Sequence, residues 1–115
     1  MSGNRGGPRV AVIGLDGTPY TFLNKEIEAG NLPVIASFAS CGSLTCMESE
    51  IPTVSSVAWA SFMTGANPGQ HGIFGFTGRE PGGWDLYFPN YSNLKTEALW
   101  ERLSREGRRA AGGDA

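Results

Sequence analysis

A short β-branched run, RVAVIGL at residues 9–15, ends abruptly at Asp16-Gly17. A nearly continuous apolar run of this length is typical of a parallel strand that is buried on both faces. Asp16 would then follow the carboxyl end of that strand, and ligands bind at this edge of an open α/β sheet. We therefore expect an α/β fold whose first strand brings a carboxylate to the binding edge.

Helical patterns alternate with strand patterns along the rest of the chain. Thr18 is expected to cap the first helix, with Pro19 in its first turn and Gly30 at its end. Further helices are predicted over residues 33–40, 55–63 and 96–106, and strands over 43–48 and 84–88. In the helix over 96–106, Leu99, Trp100 and Leu103 are expected to point inward. Alternation of this kind indicates a layered α/β domain with parallel strands.

The 115 residues suit one compact domain by length. Residues 1–8 (MSGNRGGP) are expected to be a flexible lead, and residues 9–115 to form the domain. After Arg109 the sequence AAGGDA does not provide the strand that a right-handed crossover would reach next. We therefore expect residues 9–115 to be an incomplete, N-terminal part of a larger fold.

Charge and hydropathy exclude several classes of function. A net charge of -2 is not that of a nucleic-acid-binding domain, which needs a basic face. No apolar run approaches the ~18–20 residues of a membrane span, and the start does not resemble a secretory signal. The sequence therefore predicts a cytoplasmic protein, with Cys41 and Cys46 as reduced thiols.

Two residues are candidates for chemistry. Asp16, followed by glycine just before a helix, could approach a hard cation closely, although Asp-Gly is also a common turn pair. Ser55 lies where an extended loop meets a helix, and the positive end of a helix suits an anion. A metal-activated hydroxyl there could attack phosphorus; alternatively, Ser55 only caps the helix. Thr53 and Ser56 are rival hydroxyls.

The single histidine, His71, lies in the loop sequence PGQHGIFGF. No GxSxG, GxGxxG or Walker sequence is present, so a hydrolase triad of that kind and the common nucleotide loops are not indicated. We expect His71 to fix the loop through hydrogen bonds to backbone, rather than to act as a ligand or base. Trp59 and Phe62 are expected to be core residues of the helix behind Ser55.

Three segments, taken in order, resemble the type I phosphodiesterase and nucleotide pyrophosphatase branch of the alkaline phosphatase superfamily. They are VIGLDGTPYTFL, NLPVIASFASCGSL and IPTVSSVAWASFMTGANPGQHGIFGF. The resemblance covers nearly all of residues 9–109 and is most specific from Ile51 to Phe76. It implies the N-terminal part of an alkaline-phosphatase-like catalytic domain, a three-layer sandwich with a mostly parallel sheet. It also implies hydrolysis of small-molecule phosphate mono- or diesters.

The resemblance assigns roles to the two candidates. Asp16 falls on the aspartate that binds one of two divalent metal ions, usually zinc, with manganese as the alternative. Ser55 falls on the nucleophile, also a metal ligand, which forms a phosphoseryl-type intermediate. Ala58 replaces an asparagine of the nucleotide pyrophosphatases, so a nucleotide substrate is not implied. The remaining aspartate and histidine ligands of the family come from its C-terminal half, which leaves the second metal site incomplete in this chain. The alternatives are a truncated, non-catalytic fragment and an anion-binding α/β module.

Overall fold

The computed structural model describes residues 9–111, and the lead predicted over residues 1–8 lies outside this range. The chain divides into two compact units, Met1–Thr45 and Cys46–Ala115. Among residues 9–111, no helix combines the length and the apolar character that a membrane span needs.

The first unit contains two helices, α1 (Tyr20–Glu28) and α2 (Pro33–Cys41). The predicted cap of α1 is wrong, because the residue that precedes the helix is Pro19 rather than Thr18. The Thr18 hydroxyl instead donates to the Asp16 carbonyl oxygen at 3.2 Å, which closes the turn before the helix. The predicted end is confirmed, since Gly30 has a φ of +76° just after α1.

The strand predicted over residues 9–15 is not formed within the described range. These residues are irregular and exposed, and the Ile13 side chain is 85% accessible. The strand predicted over residues 43–48 is likewise absent. A strand needs a neighbour for its N–H and C=O groups, and the only strand pairing in residues 9–111 is a two-stranded antiparallel sheet. The expected parallel sheet is therefore not seen there, and the fold is mixed, with helices and one small sheet.

The second unit is built on α3 (Ser55–Thr64) and the short α4 (Pro68–His71). Gly65, with a φ of +65°, ends α3 as the sequence predicts. Buried residues recur at spacings of three and four along α3, which places them on one side of the helix. Its buried residues are Val57, Ala60, Ser61 and Thr64.

A hairpin follows, with β1 (Gly78–Arg79) antiparallel to β2 (Leu86–Tyr87). Gly78 lies opposite Tyr87, and the strand predicted over residues 84–88 is confirmed in its central part. The Arg79 guanidinium lies 4.5 Å from the centre of the Trp84 ring, a cation–π contact across the hairpin.

The last helix, α5 (Leu99–Arg105), follows a 3₁₀ turn at Tyr91–Asn93 and begins later than residue 96, where the sequence places it. The Ala98 N–H donates to the Glu101 carboxylate at 3.0 Å, which sets the start. Leu99 and Trp100, expected to point inward, are exposed. The Trp100 ring instead stacks on Tyr91 and donates from Nε1 to the Tyr91 hydroxyl at 3.1 Å.

Candidate functional site

Ser55 is the first residue of α3, and the residue before the helix is Val54, with a φ of -119° and a ψ of 134°. The Val57 and Ala58 amides both donate to the Val54 carbonyl at 3.0 Å. Val54, rather than Ser55, therefore occupies the cap position of α3. Ser55 lies at the end of α3 that carries partial positive charge.

The Ser55 side of α3 differs from its packed side. Successive helical residues are about 100° apart, so Ser55 lies roughly opposite Val57, two positions later. Val57 is 0% accessible, whereas Ser55 is half-buried. The packing of α3 against its own unit therefore leaves the Ser55 side partly open to a ligand.

The two rival hydroxyls lie in different surroundings. The Ser56 Oγ atom is enclosed and makes no hydrogen bond within the described part of the chain. An oxygen that solvent does not reach cannot attack a bound phosphate ester in this conformation. Thr53 is exposed but precedes α3, beyond its terminal turn. Ser55 and Ser56 are both half-buried residues of the first turn of α3, and the enclosed Oγ atom of Ser56 is what separates them.

Asp16 lies in the turn after residues 9–15, where Gly17 has a φ of +62°. It belongs to the first unit and Ser55 to the second, so their pairing at one metal ion stays a prediction. In the range 9–111, no group of three or more His, Cys, Asp or Glu side chains could hold a metal ion.

The His71 ring is 0% accessible and is hydrogen-bonded at both nitrogens. Nδ1 accepts from the Ile73 N–H at 3.1 Å, and Nε2 lies 3.0 Å from the Ser61 hydroxyl oxygen. Burial lowers the pKa of His71, and the Glu50 carboxylate partly opposes that shift. The predicted hydrogen bond from His71 to backbone is confirmed. A ring engaged in this way is not available as a solvent-facing base.

The surroundings of α3 show that Phe62, predicted to be a core residue, is exposed. Phe62 is 52% accessible, so it is not a core residue; it contacts the half-buried Trp59 edge-to-face at 5.8 Å between ring centres.

Sequence reasoning missed a shallow, mainly apolar groove of about 240 Å³ beside α3. Its lining residues are Ser56, Trp59, Ala60, Met63, Ile73, Pro89, Asn90, Tyr91 and Leu94. Ser61 was also missed, although its place four residues after Val57 puts it on the packed face.

Comparison with known proteins gives one family. The family model described as type I phosphodiesterase / nucleotide pyrophosphatase matches residues 10–113. That range includes both Asp16 and Ser55. No solved structure matches the chain.

Proposed function

This chain belongs to the type I phosphodiesterase / nucleotide pyrophosphatase family, and we propose that its full-length parent hydrolyses phosphate mono- or diesters with Ser55 as the nucleophile. Family membership supports phosphate-ester hydrolysis in general. The observation that supports Ser55 in particular is its place in the first turn of the ten-residue helix α3, on the side away from buried Val57.

In the proposed reaction, the Ser55 hydroxyl releases its proton to solvent and its oxygen forms a bond to phosphorus, while the bond from phosphorus to the leaving oxygen breaks. The leaving oxygen takes up a proton from solvent, and the serine carries the phosphoryl group. Water then attacks that phosphorus, releases the phosphate product and restores the serine hydroxyl. Negative charge on the phosphoryl oxygens is favoured near the start of α3, where the helix dipole is positive.

We further propose Asp16 and Ser55 as this chain's contribution to divalent metal sites, with zinc as the expected ion and manganese as the alternative. A carboxylate and a hydroxyl oxygen suit such ions as part of a larger set of ligands. Residues 9–111 lack a cluster of three or more metal-binding side chains, so the proposal requires further ligands from elsewhere in the parent.

The same proposal accounts for the exposed apolar run at residues 9–15. In the parent, we propose that it forms a parallel strand of a three-layer sandwich and pairs with strands outside the described range. Four of its large apolar side chains are exposed here, and burial would stabilise each by about 1.5–3 kcal/mol. They are Val10, Val12, Ile13 and Leu15.

Ser55 and Ser56 offer a matched pair of variants, because they are adjacent serines in one helix. In the full-length parent supplied with zinc or manganese, Ser55→Ala should lower hydrolysis of bis-p-nitrophenyl phosphate and p-nitrophenyl phosphate by at least about 10³-fold. Ser56→Ala should stay within about twofold of the parent, because the Ser56 hydroxyl oxygen is enclosed.

Unchanged turnover in Ser55→Ala would show that the proposed nucleophile is wrong, and a selective loss in Ser56→Ala would transfer the role to that residue. Circular dichroism of both variants checks that α3 is retained. The isolated 115-residue chain should show no metal-dependent turnover. If it instead binds inorganic phosphate with metals chelated away, an anion-binding module is favoured over an enzyme.

A further inference from the structure

His71 connects three segments of the second unit. Its Nε2 atom meets Ser61 of α3 at 3.0 Å, and its Nδ1 atom takes the N–H of Ile73 at 3.1 Å. Its backbone carbonyl accepts from the Lys95 N–H at 3.0 Å. Because the residue is also fully buried, it joins α3, the loop after α4 and the segment that leads to α5.

These bonds are compatible with one form of the ring. Nδ1 accepts a hydrogen bond and so carries no proton, and the neutral ring must then carry its proton on Nε2. The Ser61 hydroxyl oxygen therefore accepts from Nε2–H. A charged ring would point a second N–H at the N–H of Ile73, which places two donors face to face in a buried site.

We propose that His71 is a positioning residue for the nucleophile, because its neutral Nε2–H form fixes α3 at Ser61 and thereby places Ser55 at the tip of that helix. The inference rests on the proposed role of Ser55. The inference adds a requirement that does not follow from the family resemblance. The helix α3 is held correctly only while the His71 ring is neutral and protonated on Nε2.

The charges around the ring are few. Apart from His71, the segments Ser55–Thr64 and Pro68–His71 carry no titratable side chain of the acidic or basic types. The Glu50 carboxylate acts on the ring and favours its charged form. Lys95 lies close by: its aliphatic carbons come within 2.9–3.1 Å of the position that a Cβ at Gly72 would occupy. Burial opposes the charged form and outweighs the Glu50 effect.

The first test uses the unmodified 115-residue chain and needs no activity. Long-range ¹H–¹⁵N spectra of the histidine ring report which nitrogen carries the proton. We expect a protonated Nε2 and a bare Nδ1 at pH 7, and we expect the neutral form to persist below pH 6.5. A proton on Nδ1, or a ring already charged at pH 6.5, would overturn the inference.

The second test separates the two bonds with variants. In His71→Asn, the amide oxygen can replace Nδ1 as acceptor but the bond to Ser61 is lost; in His71→Gln, the amide nitrogen can replace Nε2 as donor. Ser61→Ala removes the acceptor on α3, and Ser104→Ala, an exposed serine of α5, is the matched control. Hydrogen exchange of the α3 amides should quicken on the order of tenfold in His71→Asn and Ser61→Ala, less in His71→Gln, and not in the control.

In the full-length parent, the same order should appear in kcat for bis-p-nitrophenyl phosphate. We expect about a tenfold fall in Ser61→Ala with KM within twofold, partial rescue by His71→Gln relative to His71→Asn, and no change in Ser104→Ala. Normal exchange together with normal kcat in Ser61→Ala would refute the positioning role. A parent without hydrolytic activity would refute the proposed function instead, while the ring spectra and the exchange data would still decide the role of His71 in fixing α3.

Discussion

Replacement of Val57 by alanine tests whether the packed face of α3 stabilises the second unit. Val57 is 0% accessible, and the substitution removes two methyl groups, worth about 1.6 kcal/mol at ~0.8 kcal/mol each. The space left behind adds up to about 1 kcal/mol, and the higher helix propensity of alanine returns about 0.5 kcal/mol. The free energy of unfolding should therefore fall by about 2 kcal/mol, a large part of the ~4–10 kcal/mol expected for a unit of this size.

Valine 34 provides the control, because it is also a helical valine but is 66% accessible in α2. Val34→Ala should change the unfolding free energy by less than about 0.5 kcal/mol, with the sign set by helix propensity. Urea unfolding followed by circular dichroism at 222 nm and by tryptophan fluorescence measures both variants. The control effect is at most about 0.5 kcal/mol. If the changes in unfolding free energy caused by Val57→Ala and Val34→Ala differ by less than about that amount, the packed face of α3 is not the source of stability.

Three further outcomes concern single sites. Burial lowers the pKa of folded His71 below its ordinary value of 6.5. The stability that His71 contributes is therefore complete above pH 6.5 and is lost as the pH falls below it, because the unfolded chain then binds more protons than the folded chain. Between pH 7.5 and 5.0, the free energy of unfolding in urea should fall less in His71→Gln than in the unmodified chain, and equal falls would contradict this linkage. Gly65→Ala should cost about 1 kcal/mol because φ is +65° there, whereas Gly83→Ala, outside the left-handed region, should be nearly neutral in the same assay. A Cβ at Gly78 would overlap the Tyr87 ring, so Gly78→Ala should displace that ring, and unchanged nuclear Overhauser effects between the ring protons and residue 78 would disprove the overlap.

Local signals predicted the positions of the main helices, because glycine stops and apolar periodicity act within a few residues, although the predicted side-chain caps of α1 and α3 are not seen. Helix α3 is the best case: its start at Ser55 and its stop at Gly65 follow from an apolar run bounded by serine and glycine. The backbone hydrogen bond of His71 could also be predicted, because its partner Ile73 lies only two residues further along the same glycine-spaced segment. These inferences need only short-range geometry.

The predictions that failed depend on distant partners. The run at residues 9–15 has the composition of a buried strand, but composition does not supply the neighbouring strand that would pair with it. Leu99 and Trp100 lie on the apolar side of a helical pattern, yet Trp100 stacks on Tyr91, which lies in another segment. The bond between Ser61 and His71 joins residues ten apart, and no periodicity specifies such a pair.

Because α3 is held at Ser61 through the contact with His71, a small rotation of the helix about that point displaces Ser55 at its first turn. Ser61 is six positions after Ser55, which corresponds to about 9 Å along a helix that rises 1.5 Å per residue. A tilt of about 5° at the pivot would swing the far end by roughly 0.8 Å, more than the ~0.5 Å tolerance of a working active site. An angular error too small to unfold the domain would therefore still misplace the attacking oxygen that we propose at Ser55.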